Sequence, residues 1–153
     1  MRELGAEGVV CDVYDKDALL RAAQGLRPEI VVNFVTDLAA GSTAANNRAR
    51  LEGGANLLEV ARATGASRLV VESVAFALEG DAGQAVEQLE HSARAFAGET
   101  VILRFGRLWG PGTAYEAPAR PPTIHSDDAG ARAAYLIMSG PPATYTVAEG
   151  DPR

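Results

Sequence analysis

The sequence predicts an α/β protein: a doubly wound parallel sheet with helices on both faces. Three observations predict it. Short apolar runs alternate with longer helical patterns along the whole chain. The runs at Ile30 to Val35 and Arg68 to Ser73 are too apolar to leave one face in water, as buried parallel strands are. Each strand-to-strand connection is long enough for a helix that crosses back over the sheet.

Gly8 to Val13 is short and β-branched at several positions and reads as the first strand. Asp15 then caps a helix carrying Ala18, Leu19, Leu20, Ala22 and Ala23, which the stretch Gly25 to Pro28 stops. Ile30 to Val35 follows as the second strand. From about Ala39 to Thr64, Leu51, Ala55, Leu58 and Val60 fall at helical spacing, and Gly65 closes that helix. Arg68 to Ser73 is the third strand, Gln84 to Ala97 an amphipathic helix, and Val101 to Phe105 the fourth strand. Loop signals run from Gly110 to Pro122, a helix from about Asp127 to Met138, and Thr144 to Val147 reads as a last short strand. No repeat or linker divides the chain, so residues 1–153 read as a single domain.

Composition narrows the function classes. A chain of 153 residues, 47% hydrophobic and 22% charged, can bury a core of its own. Its net charge of −6 and scattered arginines offer no basic surface, so nucleic acid is not an expected partner. Cys11 is the only cysteine, which rules out an internal disulfide or a cysteine-rich metal site and fits a reducing compartment. The polar, acidic opening Met1 to Gly8 does not read as a signal peptide. No apolar run reaches the roughly 20 residues of a membrane span. A soluble cytoplasmic protein is the expectation.

Ligands of open parallel sheets bind beyond the carboxyl ends of the strands, which directs attention to Asp12, Val35 to Asp37, Ser73 and Gly106 to Gly110. Several motifs stand there in order. Asp12-Val13 ends one strand, and Thr36-Asp37 lies behind Ile30 to Val35. Asn47 precedes Gly53-Gly54-Ala55-Asn56-Leu57-Leu58, and Ser73 ends the third strand. Arg104-Phe105-Gly106-Arg107-Leu108-Trp109-Gly110-Pro111-Gly112 and Ile124-His125-Ser126-Asp127-Asp128 follow. Together these resemble the NAD-dependent epimerase/dehydratase branch of the short-chain dehydrogenase/reductases, over nearly the whole chain.

The resemblance implies a Rossmann-like sheet truncated at its front. It also implies that Asp12, Val13, Val35, Thr36 and Asn47 face a dinucleotide and that Asp37, Arg104 and Trp109 face substrate. Ser73 takes the family's catalytic serine position. Tyr115 and His125, close in sequence to the Gly-Pro-Gly loop, complete the candidate catalytic set, His125 because an imidazole titrates near neutral pH. Structural readings stand beside these. Asp12 can close a strand-end turn, Ser73 can bond the adjacent backbone, Asn47 can lie on a solvated helix face, and Asp127 and Asp128 can cap a helix. His91 reads as a surface residue in contact with Glu87.

Two departures from the family pattern matter. No Gly-x-x-Gly-x-x-Gly turn follows an opening strand, so the helix N-terminus that would hold a pyrophosphate is not found. Between Ser73 and Arg104 there is no Tyr and no Lys, so the Tyr-x-x-x-Lys pair, whose Tyr acts as proton donor, is missing. NAD(P) is therefore implied by resemblance only, and no cofactor or metal is expected. The function expected is a degenerate family member that keeps a small-molecule pocket. The alternative is cofactor-independent isomerisation, dehydration or ring closure on a small apolar metabolite. With the family's first strands absent, Val9 to Val13 is expected to pair directly with Ile30 to Val35 as an edge strand, and the exposed flank to drive homodimerisation.

Overall fold

The computed structural model describes residues 5–37 and 41–150. Helix α1, Lys16–Ala23, starts where the Asp15 carboxylate accepts from the Ala18 N–H at 2.8 Å. Strand β1 is Ile30–Asn33. Helix α2, Thr43–Arg48, is capped by Ser42 and continues through a π-helical turn, Ala49–Gly53, into α3, Gly54–Thr64. The helix expected from about Ala39 is thus one continuous rod from Thr43; its expected first residue lies outside the described residues. Strand β2 is Arg68–Val74, α4 is Gly80–Arg94, and β3 is Glu99–Phe105. Then come β4, Arg107–Trp109, β5, Thr123–His125, α5, Ser126–Ser139, and β6, Thr144–Val147.

The main sheet is parallel throughout, in the order β1-β2-β3-β6. This is the α/β architecture that the alternation of elements predicts. On one face Val31, Leu69, Val71 and Ile102 pack under Leu58, Ala61, Leu89 and Ala93 of α3 and α4. On the other, Val70, Val101, Leu103 and Val147 pack under Ala129, Ala133 and Leu136 of α5, with Ile124. Each fully buried Leu or Val here contributes about 1.5–3 kcal/mol, which is why β2 and β3 carry apolar residues on both faces.

One expectation fails. Val9 to Val13 forms no strand, and Val9 and Val10 are 61% and 106% exposed. The fourth strand of the sheet is β6 instead. A parallel strand is held by hydrogen bonds to a neighbour, and this segment spends its contacts on the helical rod. The Val13 carbonyl accepts from Asn56 Nδ2 at 2.9 Å, and the Arg48 guanidinium stacks 3.8 Å over the Tyr14 ring. Gly53 makes this possible, since a Cβ there would lie 3.2 Å from a Val13 methyl.

A second difference is the small parallel pair β4-β5, which flanks the expected loop Gly110 to Pro122 in stretches to which the sequence assigns no element. Three-residue strands are too short for periodicity to register. Their pairing places Trp109 opposite His125. The helix expected from Asp127 begins at Ser126, and its cap is His125, whose Nδ1 accepts from the Asp127 N–H at 3.2 Å. Asp127 and Asp128 lie in the first turn, where their charge complements the helix dipole.

Candidate functional site

Ser73 lies near the carboxyl end of β2 and is 3% exposed. Its hydroxyl donates to Glu90 Oε1 at 2.6 Å. Glu90, on the inner face of α4, also takes both arms of the Arg104 guanidinium, at 2.8 and 2.6 Å, and an Arg94 N–H at 2.7 Å. Burial alone would push the Glu90 carboxyl up. The bonds from Arg104, Ser73 and Arg94 outweigh it and bring the group down to about 2. Ser73 and Arg104 are register partners in β2 and β3, so one carboxylate ties two strands to the helix above them.

A second cluster forms where β4 and β5 pair. The Trp109 and His125 rings meet edge to face with centroids 4.6 Å apart. Trp109 Nε1 and Thr123 Oγ1 each donate to Glu149 at 2.7 Å, and these bonds, Thr123's first, hold its carboxyl below the ordinary range. Gly110 carries φ of +112°, and a Cβ there would lie 2.6 Å from His125 Nε2. Only glycine lets the loop pass over the imidazole this closely. Tyr115 is 46% exposed and joins the cluster by its backbone carbonyl, which accepts from the Gly110 N–H at 2.8 Å.

The candidates for a dinucleotide lie apart from both clusters. The Asp12 carboxylate accepts from the Tyr14 N–H at 2.9 Å, closing a turn, and Val13 packs on Gly53. Val35 donates its N–H to Asn33 Oδ1 at 3.1 Å, Thr36 is exposed, and the Asp37 N–H donates to Asn46 Oδ1 at 3.2 Å. Asn47 is half-buried, with Oδ1 buried and without a hydrogen-bond partner. The N-terminus of α1 holds the carboxylates of Asp15 and Asp17, which would repel a pyrophosphate. Among the described residues there is no trio of His, Cys, Asp and Glu that could hold a metal. Nor is any helix of the described residues long and apolar enough to cross a membrane.

Sequence reasoning passed over Glu90, Glu149, Arg50 and Glu72. Glu90 had a signal: on α4 it continues the row Ala82-Val86 at i+4 spacing, so a carboxylate sits on the apolar stripe. Arg50 is 8% exposed within the π-turn. Glu72 is half-buried on β2, where burial pushes its carboxyl up to about 7 against the opposing pull of Arg50. His91, expected at the surface, is exposed.

No family model matches the chain. A 3-diazoavenalumate denitrifying reductase from Streptomyces sp is 37% identical over 135 residues, covering 70% of this chain and 44% of that protein. The chain thus spans less than half the length of this relative. Among solved structures, the UDP-glucose 4-epimerase of Thermus thermophilus, in complex with NAD, aligns over 99% of this chain and 67% of its own, with TM-score 0.75 and 20% identity. The dTDP-glucose 4,6-dehydratase DesIV of Streptomyces venezuelae, solved with NAD and DAU bound, aligns over 95% and 60%, with TM-score 0.72 and 16% identity. The chain carries the Rossmann-like fold of the NAD-dependent epimerases and dehydratases, the branch of the short-chain dehydrogenase/reductases that its motifs resemble.

Proposed function

We propose that this chain is a small-molecule-binding member of the epimerase/dehydratase fold that works without the Tyr/Lys pair and without an ordinary dinucleotide grip. The observation that carries this reading is the Ser73 hydroxyl. A serine that polarises a substrate carbonyl must present its proton to the ligand. Here that proton is donated to Glu90, which Arg104 and Arg94 keep ionised. Ser73 is thereby a strut of the sheet-helix seam, and the Trp109 and His125 rings supply the ligand wall. The test is calorimetric titration of the chain with NADH and NADPH, alongside a small-molecule binding screen on the wild type, Trp109→Ala and His125→Ala. The expected outcome is weak or undetectable dinucleotide binding, with ligand affinity lost in both variants. A low-micromolar dinucleotide affinity would overturn the reading.

The reductase relative favours a second reading, in which reduction of a small molecule belongs to a longer protein and the dinucleotide is held by strands outside this chain. The outer edge of β1 supports it, since among the described residues no strand pairs there and a further parallel strand can be added. Dinucleotide affinity that appears only when this chain is extended would select this reading.

A further inference from the structure

The π-turn Ala49–Gly53 inserts one extra residue into the rod formed by α2 and α3, and such turns recur where a helix must redirect a side chain for function. The side chain redirected here is Arg50. Its residue is 8% exposed, yet among the described residues it makes no hydrogen bond and no ion pair. The buried carboxylate of Glu90 is treated quite differently, for it has three partners. A largely buried arginine with no protein acceptor has only the small opening beside it from which to take one, which favours an anion there.

The surroundings say which anion. Arg50 lines a cavity of about 20 Å³ with Asn33, Leu51, Val71, Gln88 and Leu89. That volume admits one oxygen-sized group, and its walls are mainly apolar. Glu72 is close enough for each group to act electrostatically on the other but not in ion-pair contact. One guanidinium balances one negative charge, and a second on the ligand would meet Glu72. A planar donor fork is the natural match for a carboxylate.

We propose that Arg50 binds the carboxylate of a small organic monoacid with an apolar body, one carboxylate oxygen entering the cavity beside Asn33 and Val71. This goes beyond the aromatic wall of Trp109 and His125 and shares with the small-molecule reading only the carboxyl end of the sheet. Asn47, one helical turn earlier, leaves its buried Oδ1 free and lines the neighbouring groove with Leu51 and Gln88, which also border the cavity. An N–H or O–H on the ligand would satisfy it.

Benzoate and its neutral isostere benzamide are the probes, titrated into the intact chain and followed by amide chemical shifts. Benzoate is expected to bind at least about tenfold more tightly than benzamide, with shifts centred on the π-turn. Arg50→Gln should remove that preference, and Arg50→Lys should restore part of it. Because the wild-type comparison needs no variant, a misfolded Arg50→Gln would not rescue the idea. Equal affinity for both probes, no benzoate binding, or an unchanged preference in folded Arg50→Gln overturns it. Benzoate binding that survives Trp109→Ala and His125→Ala sustains this site independently of the aromatic wall, whose reading stands or falls on the ligand screen above.

Discussion

The Ser73 hydroxyl and the Glu90 carboxylate meet at 2.6 Å between the end of β2 and the inner face of α4, both residues being 3% exposed. The contact fixes the direction of the proton: Ser73 gives and Glu90 accepts. Arg104 and Arg94 then hold Glu90 from the more exposed side, with side chains 43% and 50% exposed. Glu90 is the buried charged member of the group while both arginines reach water, so the energetics of the cluster are asymmetric.

That asymmetry gives an ordered set of stability changes. Arg104→Met leaves a buried anion with one of its two arginines and should cost about 2 kcal/mol at pH 7. Glu90→Gln frees two half-exposed arginines into solvent and should cost nearer 1 kcal/mol. The folded Glu90 lies below its unfolded value of 4.5, so its contribution is present above that value and is lost as pH falls towards about 2. Urea unfolding of both variants checks the order; equal costs would mean that Glu90 is less sealed than the structure has it.

Glu72 has the opposite sign. Its carboxyl sits at about 7 in the fold against an ordinary 4.5, because burial disfavours the ionised form. Between those values the folded state binds more protons than the unfolded state, so stability falls as pH rises through the window. Glu72→Gln should therefore be neutral near pH 4 and stabilising by up to about 3 kcal/mol at pH 8. Thermal unfolding at the two pH values reads the difference, and a variant equally stable relative to wild type at both would refute the assignment.

How far the sequence carried the fold can be judged on particular residues. Asp15, Gly65 and the apolar runs of β2 and β3 are local signals, and each element they mark is present. Val9 to Val13 carries the same local signal yet forms no strand, because strand formation depends on a neighbour that local pattern cannot report. The site was legible in part. Trp109 and His125 were readable as candidates, and the structure sets their rings edge to face. Arg50, Glu72 and Glu90 read as ordinary helix or strand charges, since burial follows from packing between distant segments.

Arg68 closes the far end of α5. Its Nη1 donates to the carbonyls of Leu136, Ile137 and Gly140 at 3.4, 3.1 and 2.9 Å, while Nε and Nη2 hold Glu99. The last carbonyls of a helix have no intrahelical donors, and here one guanidinium from β2 supplies them. Arg68→Ala should cost about 2 kcal/mol, with Arg68→Lys recovering only part because an ammonium lacks the fork. Faster amide exchange confined to the last turn of α5 would confirm the mechanism, and unchanged exchange would count against it.

The outer edge of β1 carries the last prediction. Among the described residues no strand pairs with that edge, so the backbone groups of Ile30–Asn33 on that side lack partners. The flank is also apolar. Val32 is 38% exposed although Ile30, two residues earlier on the same face, packs against the α5 cluster, and Phe34 and Val35 beyond it are 41% and 36% exposed. A two-fold axis beside β1 would pair the edges of two copies and cover Val32 with its own symmetry mate. We therefore expect this chain, purified alone, to form a homodimer. Val32→Lys, which sets two like charges at the junction, should return it to monomer while leaving its helical circular dichroism unchanged. Light scattering on wild type and variant decides the matter: a monomeric wild type at micromolar concentration, or a Val32→Lys protein that stays dimeric, removes β1 as the interface.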